Sequence, residues 1–398
     1  MPTPSSRPAP RGGSLRGLRE ANRERVLRIL QAGPRPQARI AEEAGLSPAT
    51  VTAIVRELVE SGQATVEPGT SSGRRATIVS LATQPPGTLV GISLRRDGID
   101  VATWGKSGAR LESAGWDGLP DPGRTNRERV ARFVADALPD GEQAIEATVA
   151  MPAAVPLAKR RTIVLPPEYP LADWVGDDAL APLEQVLGTP AAAKNDANLA
   201  ALAELRIGAA QGVSNALYLE LSEGVGGAFI LDDEVFEGDG GMAGELGHLQ
   251  GSEHGPRCWC GNRGCLELLV GADALLPGLR ALHPGEPMTL RTLADDVADG
   301  RELARRIAVE AGRDAGYGVA PLVQALNLST VVVGGQLAAC GDPLLSSFTE
   351  TLSHFSALVG PRVETRLASL GPRAVALGAV VDAATRCGLY SFSELKNV

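Results

Sequence analysis

The chain of 398 residues is predicted to be an α/β protein in which an N-terminal winged helix-turn-helix precedes a larger α/β body. Three observations predict this class. Two short helical segments flank a tight turn at residues 45–46, strand-like and helical segments alternate after residue 87, and a glycine-rich run and a cysteine cluster follow between residues 222 and 265. A chain of this length is expected to fold as two or three domains.

Composition separates a basic N-terminal segment from an acidic remainder. Residues 1–81 hold twelve Arg and no Lys against seven Glu, a net charge of +5, so the total of −9 leaves −14 for the rest. This asymmetry is expected when the basic segment alone binds a polyanion such as DNA, although short segments also vary in charge by chance. The sequence has no apolar run of about 18 residues to span a bilayer. Residues 1–14 are rich in Pro, Ser and Arg without the apolar stretch of a signal peptide, which predicts a disordered tail on a cytoplasmic protein.

Residues 15–81 are predicted to form the winged helix-turn-helix. Apolar residues at helical spacing between residues 26 and 30 indicate a first helix, which ends before a Gly-Pro pair. A short second helix ends at a turn at Gly45, and a third helix follows with Ser47 as N-cap and Pro48 at its first position. Three-helix bundles with this spacing also occur in unrelated proteins, and the segment after the third helix favours the DNA-binding alternative.

That segment is predicted to be a wing, because two β-prone stretches are joined by a Gly/Ser-rich loop that carries Arg74 and Arg75. A pair of guanidinium groups at such a tip suits contact with DNA phosphates or entry into the minor groove. The third helix should bury one apolar face and present small and polar residues outward. The predicted DNA-binding residues are therefore Ser47, Ala49, Thr50, Thr52, Arg56, Arg74 and Arg75.

Residues 82–87, "ATQPPG", are predicted to be a linker, and residues 88–398 the body. In the body, the strand candidates "TLVGISL", "AIEATVAM", "NALYLELS" and "TVVVGG" alternate with helical stretches such as "ANLAALAELRIGAA". The run "LSEGVGG" lies between two strands. Such glycines can cradle a phosphate, or they can form a hairpin turn that requires positive φ.

Three of the five cysteines, Cys258, Cys260 and Cys265, fall within eight positions. A disulfide across one intervening residue would be strained and would leave a third thiol over. With His248 they form the Cys₃His set of a closed structural zinc site, with His254 as the rival fourth ligand. Such a metal does no chemistry, and we expect it to rigidify a loop that aims carboxylates at a ligand. The remaining cysteines lie in apolar surroundings and are interpreted as core residues.

The winged helix-turn-helix followed by "KNDANLAALAE", "GELGH" and "CWCGNRGCLE" resembles the ROK family of repressors, open reading frames and kinases, over nearly all of the chain after the tail. The resemblance implies an actin-like, ribonuclease H-like body of two α/β lobes around a sugar cleft, with zinc held by the His and the three Cys. It also implies sugar contacts, with Asp196 at the position of the kinase catalytic base. The implied sugar-binding residues are Asn195, Asp196, Glu245, His248 and Glu267.

Read without the resemblance, "KNDAN" has two interpretations. Asn195 can fix one sugar hydroxyl while Asp196 accepts the proton of the neighbouring one, as a general base does in phosphoryl transfer. Alternatively, either side chain simply caps the helix that follows.

The sequence departs from the kinases of the family in both phosphate loops. The first has the form Asp-x-Gly-Gly-Thr in those kinases, and here Ser93 stands for the Asp while Arg95 and Arg96 stand for the glycines. In the second, "LSEGVGG" places Glu223 where a nucleotide phosphate would be repelled. No catalytic residue is therefore predicted, and Asp196 is only the equivalent of the kinase base.

The resulting hypothesis is a DNA-binding regulator, expected to be a repressor of sugar-metabolism genes, that senses a sugar or sugar phosphate without phosphorylating it. The alternatives are an ATP-dependent sugar kinase that also binds DNA, and a body that has lost ligand binding and serves only for assembly. Because one winged helix makes few contacts with an operator, a homodimer or homotetramer built by the body is expected.

Overall fold

A computed structural model describes residues 15–31, 33–71, 73–119, 126–156, 178–280, 282–286, 288–356 and 362–398, together with 171, 174 and 176. The predicted tail, residues 1–14, lies outside these. The chain forms two compact units, one of residues 1–86 with 387–391 and the other of residues 87–386 with 392–398. Within the described residues, no helix is long and apolar enough to cross a bilayer.

The first unit is a winged helix-turn-helix, as predicted. It consists of α1 (Leu15–Gln31), β1 (Arg35–Pro36), α2 (Gln37–Ala44), α3 (Pro48–Glu60), β2 (Ala64–Ser71) and β3 (Arg74–Leu81). The strands form an antiparallel sheet in the order β1-β3-β2, in which β2 and β3 are the two sides of the wing. The left-handed Gly45 makes the turn between α2 and α3. The apolar faces of the three helices meet in one core, to which Val26, Ile40 and Leu58 contribute.

A segment distant in sequence completes this unit. Residues 387–391 cluster with it, and Tyr390 packs against its hydrophobic core. The Nε2 of Gln63, at the end of the helical part, donates to the carbonyl of Cys387 at 2.6 Å. The sequence reasoning did not anticipate this contribution from near the C-terminus.

The second unit contains two five-stranded sheets with the same strand order. The first has the order β6-β5-β4-β7-β8 and consists of β4 (Thr88–Leu94), β5 (Gly98–Gly105), β6 (Gly108–Gly115), β7 (Ala144–Met151) and β8 (Ala191–Asn195). The second has the order β11-β10-β9-β12-β13 and consists of β9 (Ala216–Leu221), β10 (Val225–Leu231), β11 (Glu234–Phe236), β12 (Thr330–Gly334) and β13 (Glu364–Leu367). In each sheet, the three strands that come first along the chain pair antiparallel with one another. The fourth and fifth strands run parallel to the first of these.

The helices of this unit join and cover the two sheets. They are α4 (Asn126–Ala137), α5 (Ala181–Leu187), α6 (Asp196–Ile207), α7 (Glu267–Val270), α8 (Ala272–Leu275), α9 (Leu290–Ala298), α10 (Glu302–Ala325), α11 (Asp342–Ser356) and α12 (Ala374–Arg386). Helix α12 packs on β4, β7 and α6, and α10 packs on α11. Each sheet has its own hydrophobic core, one around Val90 and Val149 and the other around Leu219 and Val331. The α/β class predicted from the alternating segments is confirmed.

Candidate functional site

Helix α3 begins as the sequence predicted. The Ser47 Oγ accepts from the Thr50 backbone N–H at 3.1 Å and lies 2.8 Å from the Thr50 Oγ1, while Pro48 occupies the first turn. The predicted apolar face is buried against α1 and α2, and Ala49, Thr52 and Arg56 are exposed on the other side. Of the predicted DNA-binding residues on this helix, Thr50 is half-buried.

Thr52 has a partner that sequence reasoning missed. Its hydroxyl donates to the Pro48 carbonyl at 2.8 Å and accepts from the Nε2 of Gln37, at the start of α2, at 2.7 Å. These bonds use the hydrogen and one of the two lone pairs of the hydroxyl, and they fix the orientation of the exposed Thr52 side chain. The sequence signal for this contact was the position of Gln37, a polar residue at the start of the helix that precedes the turn.

The wing places both predicted arginines at its tip. Arg74 pairs across the strands with Ser71, and Arg75 pairs with Thr70, and both arginines are exposed. Exposed guanidinium groups of this kind can contact the phosphates of a duplex.

In the second unit, Asn195 ends β8 and caps α6. Its Oδ1 accepts from the Asn198 N–H at 3.0 Å, and its Nδ2 donates to the Ala153 carbonyl at 3.2 Å. The capping interpretation of "KNDAN" is therefore correct for Asn195, and the cap leaves the next residue, Asp196, at the first position of α6.

Three carboxylates converge near the start of α6. Burial, followed by the neighbouring carboxylates of Glu220 and Glu245, raises the pKa of Asp196 to about 7, although the Ala197 N–H bond acts in the opposite direction. Burial also raises the pKa of Glu245 above its ordinary value. With this pKa, the carboxyl of Asp196 changes its protonation state near neutral pH.

Glu220 is a member of this group that sequence reasoning missed. Burial raises its pKa, although the Tyr218 hydroxyl and the Ser222 hydroxyl, at 2.8 Å, donate to it and lower the pKa. The alternation of β9 could have revealed it, because residues 218 and 220 lie on one face of the strand.

The predicted metal ligands come together. Ligand atoms of His248, Cys258, Cys260 and Cys265 all lie within 4.8 Å of one another. The His248 Nδ1 is 3.6 Å from the Cys258 Sγ, and the Sγ atoms of Cys260 and Cys265 are also 3.6 Å apart. A tetrahedral zinc with Zn–S bonds of about 2.3 Å has ligand–ligand edges of roughly 3.8 Å, so this donor set fits the metal. His254 is exposed and is not part of the group.

The loop that carries these ligands, residues 254–265, folds back on itself. The Cys258 N–H donates to the Asn262 carbonyl at 2.8 Å, and residues 257 and 263 form an antiparallel bridge. Gly264 has φ of 59°, and a Cβ at this position would lie 1.8 Å from the Ser252 carbonyl oxygen. Only glycine therefore permits the loop, here called the knuckle, to close.

Glu267 connects the knuckle to the glycine turn between β9 and β10. Its Oε1 lies 3.3 Å from the Cys258 Sγ and 3.5 Å from the His248 Nδ1. Its Oε2 is 3.5 Å from the position of a Cβ built on Gly224. The knuckle, Glu267 and the turn thus form one contiguous region.

The two turns that the sequence analysis compared with phosphate loops carry opposite charges. After β4, Arg95 pairs with Asp97 at 2.9 Å and with Asp100. The next residue, Arg96, has its Nη1 3.8 Å from a carboxylate oxygen of Glu223, in the turn after β9, and 3.8 Å from one of Asp273. Arg96 therefore joins the turn of one sheet to the turn of the other.

Comparisons with known proteins agree with this architecture. The chain is 26% identical over 360 residues to the DNA-binding transcriptional dual regulator NagC of Escherichia coli strain K12, covering 86% of each chain. The structure of a ROK family transcriptional regulator, a homologue of the E. coli MLC protein, superposes with a TM-score of 0.74 at 21% identity, covering 96% of this chain and 100% of that one. A ROK hexokinase from Thermus thermophilus matches with a TM-score of 0.59 at 30% identity, covering 75% of this chain and 99% of the hexokinase.

Two family descriptions match different parts of the chain. A winged helix-turn-helix DNA-binding family matches residues 19–63, which contain most of α1 and all of α2 and α3. The ROK family matches residues 89–385, which contain both sheets, the knuckle and the converging carboxylates. Because that match spans most of the chain, this protein belongs to the ROK family.

Proposed function

We propose that this protein is a DNA-binding transcriptional repressor of sugar-metabolism genes, whose body senses a sugar and does not phosphorylate it. The observation that carries the proposal is that one chain combines a winged helix-turn-helix with a ROK body. The similarity to the regulator NagC extends over both parts, whereas the hexokinase matches 75% of the chain.

The DNA-binding surface of the proposal is the exposed face of α3 with the wing tip, comprising Ser47, Ala49, Thr50, Thr52, Arg56, Arg74 and Arg75. Arg74 and Arg75 would contact phosphates, while Ala49 and Arg56 would reach base edges in the major groove. Two such units at a fixed spacing give the affinity that an operator requires, so we propose a homodimer or homotetramer in the cytoplasm.

The sugar site of the proposal comprises Asn195, Asp196, Glu245, His248 and Glu267. Zinc would be held by His248, Cys258, Cys260 and Cys265 in a closed site. When bound, it would supply rigidity to the knuckle and no chemistry. The chain's own residues do the recognition, because Asp196 and Glu245 can accept bonds from sugar hydroxyls and Asn195 is held in place as the cap of α6.

The absence of phosphoryl transfer is proposed from the two turns. The guanidinium groups of Arg95 and Arg96 and the carboxylate of Glu223 lie in the turns after β4 and β9, and they leave neither turn as bare backbone for a nucleotide phosphate. Incubation of the purified protein with Mg²⁺-ATP and a panel of sugars should give no turnover above background. Turnover would restore the kinase alternative.

DNA binding is tested by selecting operator sequences from a random duplex library and measuring affinity as a function of salt. Arg74→Ala and Arg75→Ala should weaken binding and lower the slope of log K against log salt by about 1 each. Arg291→Ala, an exposed substitution on α9, is the matched control and should bind like wild type. Unchanged affinity in both wing variants and in Arg56→Ala would contradict the proposed surface.

A further inference from the structure

Three exposed side chains of α3 form one stripe along the helix. Ala49, Thr52 and Arg56 follow one another at intervals of three and four residues, which places them on the same face. Such a face is the one that a recognition helix presents to base edges in the major groove. Thr52 lies in the middle of this stripe, and its side chain contacts another helix, α2.

The Thr52 hydroxyl lies between two partners. Its Oγ1 is 2.8 Å from the Pro48 carbonyl oxygen and 2.7 Å from the Nε2 of Gln37. A carbonyl oxygen can only accept, and a hydroxyl has a single hydrogen, so this hydrogen points to Pro48 and Gln37 donates to Oγ1. One lone pair of the hydroxyl is left. In this state Thr52 can offer a base an acceptor and a methyl group, but no donor.

The two bonds also select the rotamer of Thr52. A threonine in a helix divides between two χ1 rotamers, and both bonds here require the one in which Oγ1 reaches Pro48 and Gln37. Pro48 belongs to the same helix as Thr52, whereas the half-buried Gln37 begins α2. Without the Gln37 bond, the second rotamer becomes accessible, and the hydroxyl can then leave Pro48 and donate to a base.

The four bases differ in how they meet a hydroxyl that can only accept. In the major groove, adenine and cytosine present amino donors, and thymine presents a methyl group that the Thr52 methyl can contact. Guanine presents the two acceptors N7 and O6, and neither can bond to the remaining lone pair. A Thr52 side chain held in this way should therefore select against guanine at the base that it faces.

We infer that Gln37 is a positioning residue for base recognition, which holds the Thr52 hydroxyl as an acceptor and so selects against guanine at one position of the operator. The inference rests on the proposed function, because it concerns the same DNA-binding surface. Gln37 acts through Thr52, so its effect is confined to the base pair that Thr52 faces. A residue that contacted a phosphate instead would weaken binding to all sequences alike.

The test uses the full-length protein and the operator duplex selected from the random library. Each base pair of one half-site is changed in turn to the other three, and affinities are measured for wild type, Thr52→Val and Gln37→Met. Thr52→Val removes the hydroxyl at nearly constant shape, and the base pair at which it alters the preference is the one that Thr52 faces. Gln37→Met removes the amide at a similar side-chain length.

At that base pair, wild type should bind the guanine duplex about fivefold less tightly than the adenine or cytosine duplex, since one unsuitable base pair has an effect of this order. Gln37→Met should narrow the difference to about twofold, because the freed hydroxyl can donate to guanine. In the Thr52→Val protein, Gln37→Met should cause no further change in base preference.

A matched control makes the same substitution elsewhere in the unit. Gln31→Met, at the exposed end of α1, should retain the wild-type preference at every base pair. Ratios between duplexes are compared because partial unfolding of a variant lowers all its affinities by the same factor. A merely structural role of Gln37 would therefore leave the ratios unchanged.

A preference against guanine in Gln37→Met equal to that of wild type would overturn the inference. So would altered preferences at base pairs that Thr52→Val leaves unaffected, or a Thr52→Val protein with wild-type preferences throughout. In each of these cases the operator is still bound and the proposed function stands. If wild type selects no operator, the inference fails together with the proposed DNA-binding function.

Discussion

The turn between β4 and β5 and the turn between β9 and β10 occupy equivalent positions in two sheets of the same strand order. The first turn is basic and closes with the Arg95 N–H donating to the Gly98 carbonyl at 2.8 Å. The second is acidic and closes with the Ser222 N–H donating to the Gly224 carbonyl at 3.0 Å. Each turn has three residues between its strands, but the closing hydrogen bonds differ and the side chains are opposite in charge. In this body, the side chains of Arg96 and Glu223 in these turns connect the two sheets.

The two turns are also supported differently. Strand β4 is pressed against α12, since a Cβ on Gly91 would lie 2.4 Å from the Ala376 carbonyl oxygen. The second turn is bordered by Glu267, which contacts the knuckle. Backbone packing therefore supports one turn, and we propose that a metal-bound loop supports the other.

The largest effect should come from removing the metal support of the second turn. Cys258→Ser should eliminate bound zinc and lower Tm by at least about 5 °C, because each kcal/mol corresponds to roughly 2–4 °C in a domain of this size. Zinc content and thermal unfolding are measured together. Cys387→Ser, which lies outside the knuckle, is the control and should retain one zinc per chain. Full zinc content in Cys258→Ser would remove this cysteine from the ligand set.

The next largest effect should come from the raised pKa of Asp196, to which Glu220 of the second sheet contributes. Its folded-state pKa is about 7 against an ordinary value of 3.8, so the stability it contributes is complete below about pH 4 and is lost as pH rises through 7. Asparagine does not titrate, so Asp196→Asn lacks this loss. Between pH 5 and pH 8, its free energy of unfolding should rise by on the order of 2 kcal/mol relative to that of wild type. Denaturant unfolding at both pH values measures it. The exposed Asp299→Asn should follow wild type, and parallel curves for Asp196→Asn would refute the interpretation.

The support of the first turn is tested at Gly91. Gly91→Ala forces β4 and α12 apart and should destabilise the body by about 1–3 kcal/mol, as overpacked sites do. Gly224→Ala is the matched change beside the second turn, where the new Cβ would lie 3.5 Å from Glu267, an ordinary contact. Equal losses in the two variants, measured by denaturant unfolding, would contradict the proposed difference in support.

The smallest effect should be the stability due to the ion pair between the turns. Arg96 is 44% exposed and Glu223 is 33% exposed, so a double-mutant cycle with alanine at each should give a coupling of only about 0.2–1 kcal/mol. Raising salt from 0.05 to 0.5 M should reduce it further. A coupling that does not respond to salt would mean that the two residues interact other than through their charges.

Local patterns predicted much of the structure. The caps and apolar spacing gave α2, the turn at Gly45 and α3, and alternation after residue 87 gave the main strands. The four metal-ligand candidates were found because three thiols at such short spacing, with a histidine nearby, are typical of a structural metal site. Of the predicted sugar contacts, Asn195 is a helix cap and Glu267 borders the knuckle, so their sugar-binding roles stay predictions.

Other features could not be found from local patterns. Glu220 is one strand residue among many until the fold brings it near Asp196, and Gln37 meets Thr52 only because α2 crosses α3. Likewise, nothing near residue 387 indicates that it contacts Gln63.

The sequence by itself determined which segments become helices, strands and turns, and which side chains have the chemistry of metal ligands, because caps, periodicity and ligand chemistry act over a few residues. Only the tertiary structure decided that Arg96 meets Glu223 and that the carboxylates converge at the start of α6. Arg96 and Glu223 are more than a hundred positions apart, and the carboxylates lie on different elements. Charge and pKa depend on distance in space, and that distance is set by the packing of the two sheets.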